Sequence, residues 1–142
     1  MKTIAVVDDC ADNRLLVRAI VEGEHTVVEY ETGPLALEGI RRAPPDLVLL
    51  DVSLPGMDGP EVVARLRADP AVPRMPVLAL TAHAMRGDRE RLLRSGFDDY
   101  VVKPIVHEGR FLATLARWLA APTPPAAPTT LIAPPAAIAP TA

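Results

Sequence analysis

Asp8, Asp9, Asp51, Thr81 and Lys103 are the side chains of this chain whose types and spacing could do chemistry together. Each follows a short aliphatic run: Ile4-Ala5-Val6-Val7 before the aspartate pair, Leu47-Val48-Leu49-Leu50 before Asp51, Val77-Leu78-Ala79-Leu80 before Thr81, and Tyr100-Val101-Val102 before Lys103. The steps from Asp8 to Asp51 to Thr81 to Lys103, of 43, 30 and 22 residues, suit full crossover units rather than hairpins. Three carboxylates gathered in one cleft repel one another and must take up a proton or a cation at neutral pH. A hard cation is the simpler answer, and Mg²⁺ suits a few carboxylates, waters and a phosphoryl oxygen. No His stands beside these acids in ligand spacing and Cys10 lacks a partner, which disfavours zinc. Asp51, facing Mg²⁺ and a lysine, would be an oxygen nucleophile of the kind that forms aspartyl-phosphates.

Plainer roles compete. One of Asp8 and Asp9 could cap the following helix, though that explains only one of the two. Asp51 could cap its own loop, which accounts for its position but not for Lys103. Thr81 could donate to a phosphoryl oxygen or serve as an ordinary helix N-cap. Lys103, between Val102 and Pro104, has little reason to point into a cleft unless negative charge lies there.

These residues require a particular frame. Short apolar runs predict strands over Thr3–Val7, Thr26–Tyr30, Asp46–Leu50, Pro76–Leu80 and Asp99–Val102. The runs at 47–50 and 77–80 are continuously apolar rather than alternating, as in parallel strands covered on both faces. Helical periodicity predicts Asn13–Glu22, Pro34–Arg42, Gly59–Ala68, Ala84–Ser95 and His107–Leu119, the last with a stripe at Leu112, Leu115, Ala116 and Leu119. Five β-α repeats with short connections imply an α/β fold, a five-stranded, doubly wound parallel sheet. Ligands of such sheets bind beyond the carboxyl ends of the strands, where all five side chains fall. The segment Val52 to Pro60, with two prolines and two glycines, is a shaped loop after Asp51.

The chain has 142 residues and a formal charge of -3, enough for one domain with a short appendage. The near-neutral balance gives no electrostatic case for nucleic acid or an anionic membrane. A single cysteine excludes an internal disulfide and fits a reducing compartment. The N-terminus lacks a signal peptide pattern, and no stretch is long and apolar enough to span a bilayer. From Ala120 onward only Ala, Pro and Thr remain besides Leu131, Ile132 and Ile138, and seven of the 16 prolines lie there. Residues 121–142 therefore read as a disordered or polyproline-like tail on a globular part of residues 1–120.

The ordered set Val6-Val7-Asp8-Asp9, Asp51 with Leu54-Pro55-Gly56-Met57-Asp58-Gly59, Thr81-Ala82 and Tyr100-Val101-Val102-Lys103-Pro104 resembles the receiver domain of bacterial two-component response regulators, over about residues 1–120. The resemblance implies a flavodoxin-like sheet of order 2-1-3-4-5. It implies that Asp51 accepts a phosphoryl group from a histidine kinase or histidine phosphotransfer protein, in a regulatory domain rather than an enzyme. It further implies Mg²⁺ held by Asp9, Asp51 and the Ser53 carbonyl, with Asp8 acting through water. Lys103 and Thr81 would contact the phosphoryl oxygens, Tyr100 would be the aromatic switch partner of Thr81, and the bond before Pro104 would be cis. A cytoplasmic protein, monomeric or weakly dimeric, acting through a downstream protein target and not on nucleic acid or membrane, fits that class. Residues 81–88 are similar to single-domain and kinase-attached receivers more than to those fused to DNA-binding domains.

Departures from the family pattern are Cys10 in place of a frequent acidic residue, a connection near Gly23-Glu24-His25 about one residue short, and Val106 to Gly109 about one residue long. They bear on partner recognition and on where the last helix starts. His83 and Ser53 border the expected phosphoryl site, although His83 is equally an exposed residue at a helix start. Three other classes compete with a phosphorylation switch. An aspartyl-phosphate hydrolase would place a second Asp two positions after its nucleophile on strand 1, where Cys10 and Ala11 stand. A flavin or nucleotide binder needs a phosphate-cradling loop after strand 1, where this chain is acidic. A phosphorelay intermediate or a phosphorylation-independent scaffold keeps the same fold with a different output.

Overall fold

The computed structural model describes residues 2–82, 87–103, 105 and 107–120. The expectations for His83, the cis bond at Pro104 and the tail at 121–142 lie outside the described residues, as do Ala84 to Arg86 at the expected start of the fourth helix.

Ten elements alternate along the described residues: β1 (Thr3–Val7), α1 (Ala11–Val21), β2 (Thr26–Tyr30), α2 (Gly33–Arg42), β3 (Leu47–Asp51), α3 (Gly59–Ala68), β4 (Val77–Thr81), α4 (Asp88–Ser95), β5 (Asp99–Val102) and α5 (Glu108–Ala120). The strands form one parallel sheet in the order β2-β1-β3-β4-β5, as expected. The side-chain period of two explains why β3 is apolar throughout. Val48 and Leu50 pack with Ala36 and Ile40 of α2, Val62, Val63 and Leu66 of α3, and Leu92 of α4. Leu47 and Leu49 pack with Val17 and Val21 of α1 and with Phe111 and Leu115 of α5. The sheet is thus sandwiched between two helical layers, and a central strand must be hydrophobic on both faces.

Several boundaries move, each for a local reason. β3 and β4 lie one residue later than expected and include Asp51 and Thr81, because the ladder runs on past the apolar stretch. Asp51 pairs with Leu80, the Val52 amide donates to the Leu80 carbonyl, and the Lys103 amide donates to the Thr81 carbonyl. Asp46, expected as the first residue of β3, instead clips the sheet edge, with its carboxylate accepting from the Thr3 amide. α1 starts at Ala11 rather than Asn13, since the Cys10 carbonyl already accepts from the Arg14 amide. α5 starts at Glu108 and its inward stripe is rotated. Phe111 and Leu115 are buried with Leu112, Trp118 and Leu119 against them, while Ala116 faces solvent. Trp118 is drawn to that side by its indole N–H, which donates to Asp99 at 3.0 Å.

Two devices fix the frame near the site. Asp58 caps α3 by accepting from the Glu61 amide, and the helix then starts on Gly59 and Pro60. A Cβ on Gly59 would stand 2.5 Å from the Asp51 carbonyl oxygen, so glycine lets α3 close against the strand end that carries Asp51. On the far edge, Asp98 accepts from Arg67, Arg74 and the Val77 amide, which pins the entry to β5 against the start of β4.

Candidate functional site

The parallel topology puts the strand-end side chains singled out in the sequence on one edge of the sheet, while Tyr100 lies within β5 and His83 and Pro104 fall outside the described residues. Asp8 follows β1, Asp51 ends β3, Thr81 ends β4 and Lys103 follows β5. The ladder continues one residue beyond β1 and β5, through the Asp8 amide to the Tyr30 carbonyl and the Lys103 amide to the Thr81 carbonyl. Alternation then gives Asp8, Asp51 and Lys103 the parity of the α1/α5 face, and Thr81 and Tyr100 that of the opposite face.

The centre is a lysine between two buried carboxylates. Lys103 Nζ lies 3.0 Å from Asp51 Oδ2 and 3.5 Å from Asp8 Oδ2. Asp8 is fully buried and Asp51 is 3% exposed, so both ions have given up bulk water. Asp51 Oδ1 accepts from the Ser53 amide at 3.0 Å, so one oxygen does cap the loop while the other meets the lysine. Asp8 Oδ1 accepts from the Cys10 amide at 2.9 Å and Oδ2 from Asn13 at 3.1 Å. The helix-capping role considered for the aspartate pair is only partly filled, because the N-cap residue is Cys10 and its side chain makes no cap bond.

Burial pushes the Asp8 carboxyl above its usual range, and the Asp51 charge adds to this. The Cys10 amide, Lys103 and Asn13 offset it only in part. Burial alone would push the Lys103 ammonium down, yet its hydrogen bond to Asp51 and the charges of Asp51 and Asp8 outweigh that and hold it above its usual range. Lysine is therefore a fixed cation here.

Asp9 completes the cluster. Single carboxylate oxygens of Asp8, Asp9 and Asp51 all lie within 4.8 Å of one another, and Asp9 is exposed at the mouth. Among the described residues the Lys103 ammonium is the cation that contacts this cluster, so three formal negative charges face one positive. An all-oxygen, net dianionic cleft fits a hard divalent cation of the Mg²⁺ class better than a soft metal.

Thr81 is half-buried at the end of β4, and Tyr100 is half-buried on β5 against the core under α2, α3 and α4. Ala79 pairs with Tyr100 and Thr81 with Val102, so Thr81 and Tyr100 occupy neighbouring positions on one face of the sheet. Sequence reasoning missed Asn13 and Arg14. Asn13 touches the Asp8 carboxylate, and Arg14 Nη1 donates to the Asp8 carbonyl at 2.6 Å. A start of α1 at Ala11 would have revealed them, since both then lie on its first turns, next to the end of β1. Among the described residues no helix is long and apolar enough to cross a membrane.

Comparison with known proteins agrees with this fold. The chain is 40% identical over 119 residues to the sensor protein GacS of Pseudomonas syringae pv. syringae, a match that takes in 81% of this chain but only 13% of that protein. It is 36% identical over 119 residues to the polar-differentiation response regulator DivK of Brucella ovis, which it spans almost entirely, 83% of one and 96% of the other. The receiver domain of the sensor histidine kinase PA1611 from Pseudomonas aeruginosa PAO1, with a magnesium ion coordinated in its active site cleft, superposes with a TM-score of 0.76. It is 31% identical, over 84% of this chain and 98% of that one. Residues 4–116 match the response regulator receiver domain, and with this strand order the chain belongs to that family of two-component signalling domains.

Proposed function

We propose that Asp51 is the phosphoacceptor of a signalling switch, charged by a histidine kinase or a histidine phosphotransfer protein. The observation that supports it is the 3.0 Å contact of Lys103 with a buried Asp51 that ends a central strand beside Asp8 and Asp9. In the reaction an Asp51 carboxylate oxygen forms a bond to phosphorus as the phosphorus–nitrogen bond of a phosphohistidine breaks. The electron pair leaves with the imidazole, which takes up a proton. Asp9, Asp51 and the Ser53 carbonyl would hold Mg²⁺, with Asp8 acting through water, and the ion would supply positive charge to the phosphoryl oxygens. Lys103, 3.0 Å from Asp51, meets the added phosphoryl charge. Thr81 donates its hydroxyl to a phosphoryl oxygen. Its movement vacates space next to Tyr100, and a local charge event becomes a change in the surface between α4 and α5 that a partner protein reads.

Intact-mass measurement after incubation with an acyl phosphate and Mg²⁺ tests the assignment. One phosphoryl group is expected on the parent chain and none on Asp51→Asn; a labelled variant would overturn it. The relatives are divided between a kinase-attached receiver and a response regulator that this chain spans nearly whole. Passing phosphate onward to a second histidine is therefore the other reading, detectable as loss of the aspartyl-phosphate to an added phosphotransfer domain.

A further inference from the structure

Arg14 connects three parts of the molecule. Its Nη1 donates to the Asp8 backbone carbonyl at 2.6 Å and its Nε to Glu29 Oε1 on β2 at 2.9 Å, and its side chain is 11% exposed. Arg18 Nε takes the other oxygen of Glu29, Oε2, at 2.7 Å, so the contact of Arg14 with Oε1 is separate from it. Asp8 stands one residue past the last position at which β1 pairs with β2 or β3. Its carbonyl belongs to the peptide plane that joins Asp8 to Asp9, so holding that oxygen sets ψ of Asp8 and φ of Asp9. Those angles decide the direction in which the Asp9 side chain leaves the backbone. Among the described residues no hydrogen bond or ion pair reaches the Asp9 carboxylate. Its place within 4.8 Å of Asp8 and Asp51 therefore rests on its backbone.

We propose that Arg14 is a positioning residue of the cleft: by bridging the Asp8 carbonyl to Glu29 it orients the Asp8-Asp9 peptide so that Asp9 presents its carboxylate to the cation. The proposal rests on the reading of Asp9 as a Mg²⁺ ligand. A planar guanidinium can serve two acceptors through separate nitrogens, whereas a lysine ammonium on a flexible stem cannot hold both in one geometry. Arg18 provides the internal control, because it binds Glu29, Glu22 and the Val27 carbonyl but not Asp8.

Positioning and electrostatics predict opposite signs. Loss of a cation beside an acidic cleft would by charge alone tighten Mg²⁺ binding, while loss of the bridge weakens it. Calorimetric titration with Mg²⁺ should give a Kd about 10-fold higher in Arg14→Gln than in the parent, the size of effect usual for residues that orient metal ligands. Arg14→Lys, which keeps the charge and gives a second variant should the first fail to fold, should be weakened likewise, and Arg18→Gln should bind as the parent does. In metal-free protein the Asp8 carbonyl carbon shift should move, and Asp9 amide order should fall, in both Arg14 variants and not in Arg18→Gln. An equal or lower Kd in the Arg14 variants, or an unmoved Asp8 carbonyl shift, overturns the proposal. A parent chain that binds no Mg²⁺ while the carbonyl shift still responds would overturn the metal reading and the role of Asp9, leaving only a structural clamp.

Discussion

Replacing Lys103 with methionine separates the lysine's balancing of buried charge from the part in phosphoryl transfer proposed for it. Methionine keeps much of the apolar stem and removes the ammonium 3.0 Å from Asp51 and 3.5 Å from Asp8. With an effective dielectric of about 20, each contact amounts to roughly 5 kcal/mol before desolvation is subtracted. Taking one partner out of a buried ion pair costs about 3–5 kcal/mol net, and the lower end applies because the lysine side chain keeps 18% exposure. Lys103 has a raised pKa when folded, so its contribution is complete below the ordinary lysine pKa of about 10.4 and is lost only as pH rises through the folded value. At pH 7.5 without metal the variant should therefore lose about 3 kcal/mol of stability in urea unfolding. The deficit should shrink as pH falls, because Asp8, already raised by burial, loses the ammonium that held it down and takes up a proton more readily. Mg²⁺ should restore much of the loss, since a ligand at 100 times its Kd stabilises by about 2.7 kcal/mol. With no competing cation in the cleft, its Kd in the variant should also be lower than in the parent. Phosphorylation should nevertheless be slow. If Lys103→Met matched the parent at pH 7.5 in the absence of metal, or gained no more than the parent from Mg²⁺, the account of the cleft as an undercompensated anionic cluster would be wrong.

Mg²⁺ titration should distinguish the paired aspartates: with the water-mediated role proposed for Asp8, Asp8→Asn should weaken binding about 10-fold and Asp9→Asn by more, and equal losses would reduce the pair to simple charge. Thr81→Ala should still accept phosphate at Asp51 but show smaller activation shifts at Tyr100, α4 and α5 in amide mapping. An unchanged response would route the signal through the Asp51 loop instead. Asp98→Ala should cost about 3 kcal/mol in thermal or urea unfolding, since it leaves the mostly buried Arg67 without a counter-charge. Arg74→Ala, at the more exposed end of the same cluster, should cost under about 1 kcal/mol.

What could be read in the sequence was whatever depends on chain-local periodicity. Apolar runs of strand length at 47–50 and 77–80 and helical stripes between them dictate a doubly wound parallel sheet, because parallel neighbours need crossovers and covered strands must be apolar on both faces. The same rule puts Asp8, Asp51, Thr81 and Lys103 at one edge before any coordinate is known, since each directly follows such a run. Tertiary structure decided what depends on the angle and register at which elements meet. Asp51 and Thr81 lie inside their strands because partners on the neighbouring strands extend the ladder, which hydropathy does not register. Phe111 and Trp118 displace Ala116 from the buried stripe of α5 because the helix turns to meet the sheet and the indole finds Asp99. Asn13 and Arg14 read as ordinary polar residues of a helix start. They become part of the cleft only because α1 begins two residues earlier than its periodicity suggests and its first turns lean on the end of β1, where a backbone carbonyl invisible to any side-chain pattern needs a donor.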